Sequence, residues 1–267
     1  MTDAATATAP GTGARGGRSS DAGNATAKAL RLLEAAAAPG GPHRLGAIAA
    51  SAGVPKASAH RILRTLVADA FLVPDGDGGY TTGPRLRALA AQVTADGAGD
   101  ELVQSELTAL RDRTGHTVHA ALRSGDGAAY THKVSGTHAV QMASHVGMRM
   151  PLHSTAIGKC VLAELGDDEL TALLGRAGLP ARTPRTLTDG GALRRELARV
   201  RADGFALDDE ENETTIRCLG APLRDAAGAV IGGVSVSTVT FLVPREDLLA
   251  LAGTVRETAA AISARLR

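Results

Sequence analysis

The 267-residue chain has no tryptophan, two tyrosines and three phenylalanines. That scarcity removes the stacked aromatic platforms on which single-stranded nucleic acids are held. There are two cysteines, Cys160 and Cys218, and no CxxC pair; this usage points to a reducing compartment. No stretch approaches the roughly 18 consecutive apolar residues of a membrane span, and none near the N-terminus looks like a signal peptide. A cytoplasmic protein is expected, with no membrane partner. The glycine-rich piece DGDGG (75–79) lacks the Lys-Ser/Thr ending of a phosphate loop, so nucleotide hydrolysis has no residues to rest on. One further absence is local: between Glu34 and Asp69 there is no acidic residue.

With 44% hydrophobic residues the chain can build one large core or two moderate ones. Net charge is +1, unevenly spread: residues 25–96 hold eight Lys/Arg against five Asp/Glu, and 97–267 hold nineteen against twenty-one. A basic front and a slightly acidic remainder suggest that the front meets nucleic acid. Residues 1–24 are Ala, Thr, Gly and Ser without hydrophobic period and read as a disordered tail.

From Ala27 the pattern is helical, with Leu30, Leu33 and Ala37 as its stripe before PGGP ends it. Leu45, Ile48, Ala49 and Ala52 make a shorter helix, stopped by Gly53. Pro55 then opens a third, in which Ala59, Ile62, Leu63, Leu66 and Val67 share one face. Three helices with a tight turn between the last two make a helix-turn-helix. FLVPDGDGGYTT (71–82) reads as two strands around a Gly/Asp turn, a wing. Leu86, Leu89 and Val93 suggest a linking helix, and TADGAGD (94–100) a boundary. Beyond it lie a helix with Leu102, Leu107 and Leu110, and strands near 117–123, 128–134 and 139–143. A helix follows MPLHST, and another lies between Thr188 and Asp203 on Leu193, Leu197 and Val200, with Gly204 as its stop. Strands then flank a turn at 225–228, and a closing helix runs from Leu248 to Leu266. This order is an α+β domain. The boundaries expected are a tail over 1–24, a winged helix-turn-helix over 25–83, a linker helix over 84–99 and the α+β domain over 100–267.

On the third helix Lys56, His60 and Arg64 stand four residues apart on the outward face, flanked by Ser58, Arg61 and Thr65. Cations neutralise phosphates, and arginine or hydroxyl side chains reach base edges in a major groove. A solvated helix face shows the same pattern, so two readings stand: operator DNA, or association only. In the second domain Ser154 or Thr155 is an N-cap, and the free amides after it would attract an anion, as at any helix start. Ser235 and Ser237, two apart on an apolar strand, share one face and bond either backbone or a ligand. Six histidines lie between His116 and His153, yet His116 and His119 face opposite sides of a strand and no HExxH completes a site, so no metal is expected. The acidic run Asp208, Asp209, Glu210, Glu211 and Glu213 reads as a solvated turn. Cys218 with a His and Asp208 has no spacing that supports a nucleophilic triad, and no catalytic residue or cofactor is assigned.

LGAIAASAGVPKASAHRILRTLVADAFLV resembles the winged helix-turn-helix of the IclR family of bacterial transcriptional regulators, and RMPLHSTAIGK and GFALDDEEN…IRCLGAPL resemble that family's effector domain. The resemblance covers about residues 25–266. It implies a GAF-like C-terminal domain that binds a small molecule, a dimerising connecting helix in a homodimer or tetramer, and control of a promoter. Ala57 departs from the hydroxyl residue usual beside the basic stripe. By similarity, Asp208, Cys218, Ser235 and Ser237 fall on pocket positions, with Met142 and Met150 as its apolar wall. The effector expected is a small oxo-, hydroxy- or ureido-carboxylate. Its carboxylate would lie on the N–H groups of Ala156 and Ile157, and an ionised Asp208 would accept from its other end; Lys159 is left outside the pocket. The alternative is an enzyme or metabolite-binding protein whose N-terminal helices serve only association.

Overall fold

The computed structural model describes residues 25–41, 43–94 and 98–265, and the chain divides into two units between Gln92 and Val93. The tail reading of 1–24 lies outside the described residues, as does the side chain of Val93.

In the first unit helix α1 (Ala25–Ala37) is followed by β1 (His43–Arg44), α2 (Leu45–Ser51) and α3 (Lys56–Ala68). Gly53, at φ +60°, makes the turn between α2 and α3, a conformation that costs glycine nothing. β2 (Leu72–Pro74) and β3 (Gly79–Thr82) form the wing, and β1 joins them in an antiparallel sheet of order β1-β3-β2. α4 (Pro84–Thr94) leads out of the unit. Leu32, Ala36, Ile48, Ala59, Leu63 and Leu72 form the core. The expected stripe on α1 is rotated. Leu30 is 56% exposed, whereas Leu32 and Ala36 are buried and Ala29 and Leu33 half-buried. Alanine and leucine fall on several sides of this helix, so apolar spacing fits more than one register, and the core takes Leu32 where the spacing had offered Leu30.

The second unit is a six-stranded antiparallel sheet of order β6-β5-β4-β9-β8-β7. Its strands are β4 (Thr117–Ser124), β5 (Gly127–Val134), β6 (Arg149–Pro151), β7 (Ala206–Asp209), β8 (Ile216–Arg224) and β9 (Val230–Val239). One apolar cluster joins α5 (Ala98–Thr114), α9 (Arg245–Ala250) and α10 (Ala252–Ser263) to Val118, Leu219, Val234 and Val236. The other joins α6 (Ala156–Ala163), α7 (Asp167–Ala177) and α8 (Gly190–Asp203) to Ala121, Ala128 and Ala206. The sheet is therefore covered on both faces. α8 follows its sequence signals: Asp189 caps it by accepting from Ala192, Leu193, Leu197 and Val200 are buried, and Gly204 ends it at φ +73°.

Three expectations are corrected. Residues 139–143 form a loop, because Lys133 Nζ donates to the carbonyls of Met142 (2.7 Å) and Ser144 (2.6 Å) that a strand would have used in its ladder. β5 pairs instead with β6, Ala128 opposite Met150. The closing helix is broken at Leu251 and starts earlier, after Pro244, which fixes the first turn of α9; Leu266 lies outside the described residues. α7 was not expected, although Asp167, Asp168 and Glu169 complement its N-terminal dipole and Leu170 and Leu173 bury its inner face.

α6 lies so close to the polypeptide before it that a Cβ on Gly158 would run into the Cα and carbonyl of Leu152. Alanine normally gains about 1 kcal/mol over glycine inside a helix. Gly158→Ala should instead lose about 1–3 kcal/mol through overpacking, read as a lower denaturant midpoint at unchanged slope.

Candidate effector cavity and nucleic-acid interface

Thr155 caps α6. Its side chain accepts the N–H of Gly158 at 3.2 Å and its carbonyl takes that of Lys159 at 2.9 Å. Ala156 and Ile157 occupy the first two helical positions, whose amides have no acceptor within a helix. Both residues line a cavity of about 300 Å³.

The facing wall comes from the sheet. Ser235 and Ser237 turn toward the cavity, and Val234 and Val236 pack into the opposite core, as the period of two requires. Cys218 lies opposite Ser237 in the β8–β9 ladder and its thiol donates to Ser237 Oγ at 3.2 Å. Burial raises the Cys218 thiol well above its ordinary range, and Asp208 nearby adds to this; burial pushes Cys160 up to about 12. Neither is an activated nucleophile. Met142 and Met150 stand in the same lining. The structure thus brings Ala156, Ile157, Asp208, Cys218, Ser235, Ser237, Met142 and Met150 around one cavity.

Sequence reasoning missed the polar chain that crosses this cavity. His119 on β4 is 1% exposed and stacks on Tyr130 with ring centroids 4.4 Å apart. Its Nε2 meets Ser144 Oγ at 2.8 Å and its Nδ1 meets Ser237 Oγ at 3.4 Å. Burial, then the charge of Lys133, lowers its pKa to about 3, so the ring is neutral and has one donor and one acceptor nitrogen. The signal was available: on β4 His119 alternates with Val118 and Ala120, which puts it on the face of its ladder partner Ser235. Arg182 also lines the cavity, its Nε donating to the Asn212 carbonyl at 3.1 Å.

The acidic run is not a solvated turn, because Asp208 and Glu211 are buried. Asp208 Oδ1 accepts the N–H groups of Glu211 (2.8 Å) and Asn212 (3.2 Å) and closes the turn after β7. Burial nevertheless lifts the Asp208 carboxyl to about 7, against the pull of those two N–H groups. Lys159, whose orientation the sequence left open, points inward and is fully buried. Its Nζ donates to Glu211 Oε1 at 2.6 Å and to the Leu207 carbonyl, and lies 3.5 Å from Glu196. Burial raises the Glu211 carboxyl while Lys159 opposes the rise, and among the described residues the buried Glu211 Oε2 has no hydrogen-bond partner. Among the described residues no three His, Cys, Asp or Glu converge as metal ligands.

In the first unit Lys56, His60, Arg61, Arg64 and Thr65 are exposed along α3 and Ser58 is half-buried, while Ala59 and Leu63 face the core. Among the described residues none of Lys56, Arg61 and Arg64 has an ion pair. The face keeps its full positive charge.

An uncompensated basic helix following a tight turn, in a chain that also holds a cavity with convergent polar groups in a separate unit, defines a regulator that binds DNA and a small molecule. The chain belongs to the IclR family: residues 100–264 match the bacterial transcriptional regulator IclR C-terminal domain and residues 25–76 the IclR helix-turn-helix domain. It is 36% identical over 197 residues to the HTH-type transcriptional regulator XynR of Escherichia coli, covering 73% of this chain and 78% of that protein. The transcriptional repressor IclR of the same organism is 31% identical over 236 residues, 87% of this chain and 83% of its own length. The crystal structure of Thermotoga maritima IclR superposes with a TM-score of 0.68 at 32% identity, covering 90% of this chain and 97% of that one.

Folding raises the Asp208 pKa from 3.8 to about 7. Its contribution to stability is therefore complete below about pH 4 and is lost as pH climbs through about 7. Asp208→Asn keeps an acceptor for the turn without the charge. Its stability relative to the parent should rise by a few kcal/mol between about pH 4 and about pH 7, measured by denaturant titration at each pH. Lys159→Met strands Glu211 and should cost about 3–5 kcal/mol, whereas adding Glu211→Leu should restore much of the loss, a double-mutant cycle read from melting curves.

Proposed function

We propose that this regulator senses a small carboxylate, of the oxo-, hydroxy- or ureido-acid kind, and converts occupation of the cavity into a change of operator affinity. The observation that carries this reading is the arrangement across the cavity: two amides without helical acceptors on one wall, two inward hydroxyls on the strand opposite, and Asp208 at the side. The Ala156 and Ile157 amides take the carboxylate, favoured by the positive end of the helix dipole. Ser235 and Ser237 serve the middle of the ligand as donors or acceptors. With its carboxyl lifted to about 7, Asp208 is protonated in a large share of molecules at neutral pH. It therefore offers the far end of the ligand a donor as well as an acceptor, beyond the ionised acceptor expected from the sequence. Met142, Met150 and Cys218 supply apolar wall.

Lys56, Ser58, His60, Arg61, Arg64 and Thr65 form the face that meets the major groove. One such unit covers too little DNA for high specificity, so two copies act on half-sites about one turn or a multiple apart. The assembly is a homodimer or tetramer, with Leu86 and the 48% exposed Leu89 of α4 as candidate contacts. The work is binding without turnover, in the cytoplasm. Among the described residues no helix is long and apolar enough to cross a membrane.

Arg64→Ala should weaken binding to a promoter fragment without changing the melting temperature, and the parent's log K should fall with log salt at about −0.9 per phosphate contacted. Salt-independent binding overturns the DNA face. Ser237→Ala should keep operator affinity and lose about 1–3 kcal/mol of effector coupling, measured by titrating small acids into the protein–operator complex. A response confined to uncharged ligands overturns the carboxylate.

A further inference from the structure

The wing carries charge that opposes DNA. Residues 71–83 contain no Lys, Arg or His, and the tip carries Asp75 and Asp77. Asp75 is held in the turn, its Oδ1 accepting the N–H groups of Asp77 at 3.0 Å and Gly79 at 2.7 Å, while Asp77 is exposed. A narrow minor groove concentrates negative potential and takes Arg, Lys or His. This tip offers the reverse.

A cation does stand beside it. Arg44 on β1 is the ladder partner of Gly79, the residue that leaves the tip, and its side chain is exposed. Arg44 also immediately precedes α2, the first helix of the helix-turn-helix, which in this motif crosses the sugar-phosphate backbone while the second lies in the groove. Among the described residues the other arginines of the unit outside α3 are engaged. Arg31 donates to the Ala52 carbonyl at 3.1 Å, Arg85 lies 4.7 Å from the centroid of Phe71, and Arg87 donates to the Thr82 carbonyl at 2.8 Å. Among the described residues Arg44 has no ion pair or hydrogen bond from its side chain.

From this juxtaposition we infer that Arg44 is a second DNA anchor, holding a backbone phosphate at the edge of the wing, and that the acidic wing tip stays out of the minor groove. Contact beyond the recognition helix then neutralises charge and reads no base. The inference rests on α3 as the DNA-binding face. Its consequence is that base preference is confined to the part of each half-site under α3.

The test uses the full chain and a fluorescein-labelled, mixed-sequence 30-base-pair duplex, with anisotropy titrations between about 50 and 200 mM salt. Loss of one phosphate contact makes the slope of log K against log salt shallower by about 0.9. Arg44→Ala is expected to show that change at unaltered melting temperature, and Arg44→Lys to restore the parent slope, because a phosphate accepts either cation. Asp77→Lys is expected to leave the slope as it was. Arg64→Ala is the control for α3. If Arg64→Ala lowers the slope and Arg44→Ala does not, the anchor is overturned and the DNA-binding face stands; if neither does, the face itself fails. Failure of Arg44→Lys to restore the slope overturns the phosphate role. A slope steeper by about 0.9 in Asp77→Lys means that the tip reaches the duplex, which overturns its exclusion.

Discussion

The ammonium of Lys159 is enclosed on every side, and the groups around the cavity are arranged by the way that charge is satisfied. A buried cation without partners would cost several kcal/mol. The end of β7, the turn after it and α8 therefore converge on α6, supplying the Leu207 carbonyl, Glu211 and Glu196. The turn is fastened from its outer side as well, with Thr183 donating to the Glu210 carbonyl at 2.7 Å and Thr186 to that of Glu211 at 2.6 Å. Glu210 adopts φ +62°, a left-handed conformation that a non-glycine residue holds only when its surroundings impose it. The same turn delivers Asp208 and Asn212 to the cavity side. The ion pair itself lies outside the lining, so its role is to position groups that a ligand touches.

Sheet and helix meet closely because glycine permits it. At Gly220 and Gly233 a side chain would press on Ala156 and Ile157, the two residues whose amides open the cavity. Close approach brings the amide end of α6 within reach of hydroxyls on β9. The other face of β9 contributes Val234 and Val236 to the apolar core against α5, α9 and α10. One strand thus separates binding from packing by the alternation of its side chains.

That alternation is also why Ser235 and Ser237 were legible from sequence. α8 was legible because apolar spacing and terminal glycine agreed. Asp208 and Cys218 carried no local signal; similarity to known effector domains placed them, since their meaning depends on strands that pair across the sheet. His119 was weighed only as a metal ligand, although its position opposite Ser235 follows from strand periodicity once β4 and β9 are known to be neighbours. Lys159 and Glu211 were opaque. Their partners are 52 residues apart in the chain, and single-sequence reasoning treats charged side chains as solvated. The error on α1 has another cause: alanine and leucine fall on several sides of that helix, so hydrophobic spacing alone fits more than one face, and the core buries Leu32 rather than Leu30.

The absence of tryptophan, taken with where the two tyrosines fall, makes the molecule its own optical probe. Tyr80 packs half-buried in the wing of the first unit and Tyr130 lies under His119 in the cavity of the second. Each unit therefore contains a single intrinsic fluorophore, undimmed by energy transfer to indole. Emission from Tyr130 is exposed to quenching by whatever enters beside it, and emission from Tyr80 follows the packing of the wing. Two signals from unlabelled protein, separated by substituting one tyrosine at a time with phenylalanine, can follow the two units independently through the same titration.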